Sequence, residues 1–229
     1  VTLSSSLHAS LVKPGSYAYS FGGPIFPTIR NPGFEFGLAT DVSERFLVGE
    51  QAAGAKSEWK FTPGSNGPTN TWQSGVQYGN GTGSKFTNGN PVAPQGLQVG
   101  FIQGDSKIEQ KINLAPGHYE IGFLAAQSAA FPGQTLQVTI ADSGGNVLHT
   151  ENVTPVGTTY TAHKTQPFTA SRSGLYTVTL KGTVLSTATV LFDQIATVEV
   201  EQGALLKGDF NADGLTDIAT RLIDGNWQV

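Results

Sequence analysis

Apolar and polar positions alternate with a period of two along most of the chain. Leu97, Val99 and Phe101 stand two apart, as do Ile108, Gln110 and Ile112, then Tyr119, Ile121 and Phe123. Leu136, Val138 and Ile140 continue the pattern, followed by Val147 and His149 and by Tyr176, Val178 and Leu180. That period puts neighbouring side chains on opposite faces of a strand, one face for a core and one for solvent. The runs are bounded by turn chemistry at Pro116-Gly117, Pro132-Gly133, Ser143-Gly144-Gly145 and Ser173-Gly174. Strands recurring every ten to twenty residues or so, with no helical period between them, predict an all-β fold of two antiparallel sheets packed face to face. Residues 30–201 carry the pattern and are long enough for one sandwich core.

Other segments read differently. Residues 1–29 mix small polar residues with Tyr17, Tyr19, Phe21 and Phe26, interrupted by Pro14, Gly22, Gly23, Pro24 and Pro27. They are expected to form a lead-in with one short strand around Tyr17–Phe21, packed on the sandwich because an extended segment cannot bury its own aromatics. From Pro63 to Pro94 glycine and asparagine dominate around Trp72, Tyr78 and Phe86. This predicts a long loop region with short strands at most. Its aromatics serve either binding, which long loops on a rigid scaffold commonly carry, or the core. Trp59, in the strand-like EWKF, is expected in the core.

Composition narrows the class. Of 229 residues, 29 are Gly and 12 Pro, against a usual combined share of about 12%. That excess excludes a helical bundle and favours short strands with many turns. A formal charge of −4 with 13 Lys+Arg and 17 Asp+Glu offers no basic face for nucleic acid. No apolar run approaches the ~20 residues of a membrane helix. With no Cys there is no disulfide, thiol nucleophile or Cys-ligated zinc. With no Met, and with Val1 at the front, the chain reads as a mature or excised piece of a longer product, its targeting segment not shown. Low charge and abundant Thr, Ser, Asn and Gly suit a secreted or surface-exposed bacterial protein.

One ordered set of motifs is more specific. The chain runs Asn31-Pro32-Gly33-Phe34-Glu35, Trp59-Lys60-Phe61, Ala93-Pro94-Gln95-Gly96-Leu97-Gln98-Val99-Gly100-Phe101-Ile102-Gln103-Gly104, Ile108–Gln127, Gln134–Ile140 and Leu191-Phe192-Asp193-Gln194-Ile195. In this order it resembles carbohydrate-binding modules with a galactose-binding-domain-like jelly roll, over roughly residues 30–200. The resemblance implies a calcium ion linking the first and last strands, with Glu35 and Asp193 at the matching positions. Carboxylates from distant segments plus backbone carbonyls suit the six to eight oxygens Ca²⁺ takes; the alternative is that backbone amides cap both carboxylates without metal. The resemblance also implies a polysaccharide or glycan ligand, held at the loop tips or on the concave sheet face by an aromatic surface and a few polar groups. Trp72 and Tyr78 are the first stacking candidates, Tyr160 and Phe131 follow at other turns, and Gln127 is the polar candidate at a strand end.

The carboxyl end carries a second motif. In Gly208–Asp217 (GDFNADGLTD), Asp209, Asn211, Asp213 and Asp217 occupy relative positions 1, 3, 5 and 9, with Gly214 at 6 and the Leu215 carbonyl at 7. That spacing wraps oxygens around one calcium ion, and the glycine permits the sharp turn. Thr220 stands at position 12, where an EF-hand would carry Glu. The continuation Ile218–Val229, with Asp224-Gly225 as a turn, resembles the start of an FG-GAP or VCBS-type repeat. One such hairpin cannot bury its own face, so residues 202–229 are expected to open a longer array in the parent chain or to dock as a lone calcium-pinned hairpin.

Catalytic motifs are lacking. His8, His118, His149 and His163 show no metal spacing, and there is no GxSxG elbow, P-loop or nucleotide fingerprint. Asp105, Glu109, Glu120 and Glu151 are scattered acids. The expected function is a non-catalytic, calcium-stabilised carbohydrate-binding module of a larger secreted protein. Its alternatives are a structural or adhesive spacer orienting a propeller, and a jelly-roll polysaccharide hydrolase or lyase.

Overall fold

A computed structural model describes residues 29–35, 46–48, 58–65, 72–79, 86–200, 205–208, 217–221 and 227–228. Among these residues every regular element is a strand. In one sheet β1 (Phe46–Val48), β3 (Ser74–Tyr78), β4 (Gln98–Gln103), β12 (Thr189–Glu199) and β6 (Gly117–Gln127) lie side by side in that order, and β9 (Thr161–Lys164) and β10 (Phe168–Ala170) share the far edge of β6. The second sheet runs β2 (Lys60–Thr62), β5 (Lys107–Leu114), β11 (Gly174–Gly182), β7 (Leu136–Asp142) and β8 (Val147–Val153). A third small sheet joins β13 (Leu205–Gly208), β14 (Asp217–Arg221) and β15 (Trp227–Gln228). All pairings are antiparallel. The first two sheets form the expected sandwich.

Alternation builds its interior. Ile108, Ile112, Val138, Ile140, Val178 and Leu180 of the five-stranded sheet meet Val76, Ile102, Ile121, Phe123, Val190 and Phe192 of the seven-stranded one. Residues 29–35 are threaded into this core. The Gln110 amide donates to the Arg30 carbonyl and accepts from the Arg30 N–H at 2.8 and 2.7 Å. Phe34 stacks on Trp59 with ring centres 5.6 Å apart and meets Phe192 edge-on at 5.4 Å. Trp59 is buried, as expected, and its indole N–H donates to the Asn31 carbonyl.

The seven-stranded sheet also has a buried outer face. Val99, Phe101 and Leu191 point away from the sandwich interior and are covered by Phe86 and Ala93, with Phe131 and Tyr160 packed against them. Phe86 lies 4.5 Å from Phe101. Asn90 fastens this cover, donating to the Gln127 and Thr158 carbonyls and accepting from the Ala129 N–H. Consequently all six residues of β4 are buried. Among the described residues the five-stranded sheet has no such cover: β5, β7 and β11 alternate between buried and accessible positions.

The expected alternation shifts in detail at two positions. Leu97 precedes β4 and is 49% exposed, and Val147, on the edge strand β8, is 60% exposed. The Gly/Asn-rich region contains β3, a five-residue strand paired with β4. The lead-in through residue 28, with its strand around Tyr17–Phe21, lies outside the described residues.

Two buried glutamines tie the loops at one end of the sandwich. The Gln134 amide donates to the carbonyls of Gly104, Val184 and Ala188, and its oxygen accepts from the N–H groups of Thr135, Thr183 and Val184. Leucine at position 134 would keep the volume but strand those backbone groups. Gln134→Leu is expected to lower stability by about 3 kcal/mol, a fall of roughly 6–12 °C in Tm for a chain of this size. Gln137→Leu, on the accessible face, should move the midpoint by less than about 2 °C. Equal melting curves for the two variants would refute a structural role for the Gln134 network.

Candidate functional site

The accessible face of the five-stranded sheet is a groove of about 310 Å³. Strand register lays its floor in two rows. Thr62, Lys107, Lys181 and Gln137 are successive partners across β2, β5, β11 and β7. Lys60, Glu109, Thr179 and Thr139 form the row beside it. Pro63 and Asp105 close the loop end. Among the described residues the buried Thr62 hydroxyl oxygen has no hydrogen-bond partner, an exception to the usual pairing of buried polar atoms.

Trp72 stands at that end. Its carbonyl accepts from the Gly64 N–H at 2.9 Å, and a side chain on Gly64 would meet both Trp72 Cβ and the Asp105 carboxylate. The indole lies flat against Gly104, which turns the chain between β4 and β5 at φ +60°; a methyl group there would overlap the ring. Ser74 fixes the base of the platform, its hydroxyl donating to the Lys107 and Thr62 carbonyls of the opposite sheet. Trp72 as a whole remains partly accessible. Trp72 thus stands near Asp105 at the loop end of the groove, beyond the residues that line it.

The groove's acids are occupied. Desolvation alone would raise the Asp105 pKa, but hydrogen bonds from the Ser65 hydroxyl and N–H, with the charge of Lys181, hold it below the usual carboxylate value. Glu109 lies 2.9 Å from the Lys107 ammonium and 3.8 Å from that of Lys60.

Glu35 and Asp193 converge elsewhere, at the junction of residues 31–35, 95–98 and β12. Glu35 Oε1 accepts from the Leu97 and Gln98 N–H groups, both at 2.9 Å. Asp193 is fully buried and accepts from the Gln95 and Gln194 N–H groups at 2.8 and 2.7 Å. Neither carboxylate joins a salt bridge among the described residues. Burial, opposed by those two hydrogen bonds and assisted by the neighbouring Glu35 charge, pushes the Asp193 pKa up to about 7. Asn31, Phe34 and Gln194 here hold φ of 50°, 61° and 53°, a left-handed backbone that non-glycine residues adopt only under local constraint. Two oxygen-rich, uncompensated carboxylates on a strained backbone fit a hard cation such as Ca²⁺. Among the described residues no group of three or more His, Asp or Glu assembles, so backbone carbonyls would complete any coordination sphere.

The remaining sequence candidates fall in several places. Gln127 is buried, and its amide is fully engaged inside the protein: it donates to the Gln134 and Pro155 carbonyls and accepts from the Gly133 and Gln134 N–H groups. Phe131 and Tyr160 pack on the covered outer face, where burial raises the Tyr160 pKa. Tyr78 ends β3, partly buried, its carbonyl accepting from the Thr87 hydroxyl. Asp209, Asn211, Asp213 and Leu215 lie outside the described residues; Asp217 opens β14, paired with Gly208 of β13. The groove is therefore lined by residues that the linear pattern did not single out as ligands, with Trp72 beside its loop end. Lys107 and Lys181 are far apart in the chain and meet only through the β5–β11 register.

No protein-family model and no curated protein matches the chain. Solved structures do. A cyclase from Fischerella sp. TAU, in complex with 4-(1H-indol-3-yl)butan-2-one, is 16% identical over 75% of this chain and 96% of its own, with a TM-score of 0.52. That likeness shows the fold, a jelly-roll sandwich spanning almost the whole cyclase. A family 61 carbohydrate-binding module in complex with β-1,4-galactotriose is 16% identical over 75% of this chain and 97% of the module, with a TM-score of 0.49. The xylan-binding domain CBM22-1 from Paenibacillus barcinonensis is 15% identical over 63% of this chain and 87% of that domain, with a TM-score of 0.42. Among the described residues no helix is long and apolar enough to cross a membrane.

The buried carboxyl of Asp193 sets a pH dependence in chelator-treated protein. Its folded pKa, about 7, lies above the ordinary 3.8, so the folded chain retains a proton that the unfolded chain has released. The group's contribution is therefore present in full below about pH 4 and is lost as pH rises through about 7. Urea denaturation with EDTA should show wild type losing stability relative to Asp193→Asn between pH 4 and pH 8. A parallel profile for the two proteins would exclude a raised pKa.

Proposed function

We propose that the sandwich is a non-catalytic carbohydrate-binding domain holding a polysaccharide along the groove of the five-stranded sheet. The observation that carries this reading is Trp72, a partly accessible residue whose indole is fixed flat against Gly104, near a floor of Thr, Gln and Lys side chains. A pyranose ring presents an apolar C–H face to an aromatic surface and equatorial hydroxyls to hydrogen-bonding groups. Shallow contact implies modest affinity. The order of motifs from NPGFE to LFDQI supports the same reading. Asp105 and Glu109, the groove's carboxylates, are both held by neighbouring side chains, which favours binding over glycoside hydrolysis.

Calcium belongs to the proposal. Glu35 and Asp193 would hold one ion, which neutralises the paired carboxylates and ties the 31–35 segment to β12. Asp209, Asn211, Asp213, Asp217 and the Leu215 carbonyl would hold a second between β13 and β14. The domain would serve a larger secreted or cell-surface protein, its carboxyl hairpin leading into further domains of the same chain. The competing reading, a spacer that binds no sugar, predicts silence on every glycan.

Affinity electrophoresis in gels containing soluble polysaccharides separates the two. Retardation on one glycan class is expected, abolished in Trp72→Ala and partly kept in Trp72→Phe, with both variants checked for cooperative melting. Uniform mobility across glycans would reject the binding reading. For the cation, EDTA is expected to lower Tm by several degrees and added Ca²⁺ to restore it, with the response reduced in Asp193→Asn. A midpoint indifferent to EDTA would reject both calcium sites.

A further inference from the structure

The groove floor contains a like-charge pair. Lys107 and Lys181 are directly opposite each other on β5 and β11, and both line the groove, whose lining residue Asp105 neighbours Trp72 across Gly64. Like charges facing across neighbouring strands destabilise a sheet. Compensation is uneven. Lys107 reaches Glu109 at 2.9 Å, but Glu109 is shared with Lys60 on the other side. Lys181 is exposed and joins none of the salt bridges among the described residues. It acts only at a distance on Asp105, whose oxygens are already taken by Ser65. Lys111 continues the same face of β5. In a chain of net charge −4, this sheet face therefore gathers Lys60, Lys107, Lys111 and Lys181 around Glu109 and Asp105.

Resting on the carbohydrate reading above, we infer that the groove takes an acidic glycan, with one anionic substituent, carboxylate or sulfate, set between the Lys107 and Lys181 ammonium groups while its sugar ring stacks on Trp72. An anion there turns the repulsion between the lysines into two charge-assisted hydrogen bonds. The polar row beside it, Thr179 and Thr139, is left for neutral hydroxyls.

The test is titration calorimetry of the full chain with polygalacturonate, dextran sulfate and a neutral galactan, at low and at physiological salt. Either acidic polymer is expected to bind at least about tenfold more tightly than the galactan, with affinity falling as salt rises. Preference for polygalacturonate assigns a carboxylate, and preference for dextran sulfate a sulfate. Lys181→Gln should lose about tenfold in affinity with Tm unchanged or raised, because the variant removes a repulsion. Lys111→Gln, with the same change in net charge on the same face, should lose less than about twofold. Galactan binding equal to that of the acidic polymers, or unaltered affinity in Lys181→Gln, would overturn the acidic-glycan inference alone, provided Trp72→Ala still abolishes binding. Silence on all three polymers would overturn it together with the carbohydrate reading.

Discussion

Between Thr189 and Asp193, β12 is buried on both faces and hydrogen-bonded along both edges, to β4 and to β6. The interior side places Val190 and Phe192 in the sandwich core, and Phe192 then needs Phe34 and Trp59 as partners. The outer side exposes Leu191, together with Phe101 of β4, unless something covers them. Residues 86–97 supply that cover, and their polar backbone requires Asn90, Gln77 and Ser128 as hydrogen-bonding anchors. The same strand then breaks register between Asp193 and Ala196, which releases Asp193 toward Glu35. Once one sheet has spent its outer face on a second apolar layer, the sheet face left open among the described residues is that of β2, β5, β11 and β7.

How much of this was legible in the chain depends on whether a strand has one buried face or two. β5, β7 and β11 alternate because one face meets water, so Ile108, Val138 and Val178 announce their strands. β4 has both faces buried, and its run QVGFIQ loses the period; the alternating Val99 and Phe101 lie on the face opposite to the main core. β3 was hidden by Gly75, which carries no side chain to signal a face. The tie between Glu35 and Asp193 was legible only through a resemblance of motifs, since their separation in the chain says nothing about contact. Trp72 stood out as an aromatic in a polar loop. The groove did not, because its floor is a set of cross-strand partners and pairing register is not written in any one segment.

Glutamine takes an unusual share of the structural load. Without cysteine, no disulfide restrains the loops at the end of the sandwich. Gln134 and Gln127 are buried instead and satisfy backbone groups from four separate loops, while Gln110 does the same for the incoming segment at Arg30. An amide suits this task because it offers two donors and an acceptor with two lone pairs in one rigid plane. Such a network is favourable only when complete, since each missing partner leaves a desolvated polar group. That requirement explains why Gln127, a polar residue at a strand end, is consumed by the fold rather than offered to a ligand.

The Gln134 network also reaches the groove. Its amide holds the Gly104 carbonyl, and Gly104 is the surface on which the Trp72 ring rests. The indole is therefore set by a turn that is itself fixed by buried hydrogen bonds, so ordering the ring at the moment of binding costs little entropy. Preorganisation of this kind raises affinity where the contact area is small. The lysine pair follows the opposite logic. Its repulsion persists in the free protein, because Lys107 and Lys181 are held opposite each other by a register that the core residues Ile108 and Leu180 dictate. Among the described residues only Glu109, shared with Lys60, and Asp105 offset it, and a bound anion would relieve it without moving a strand.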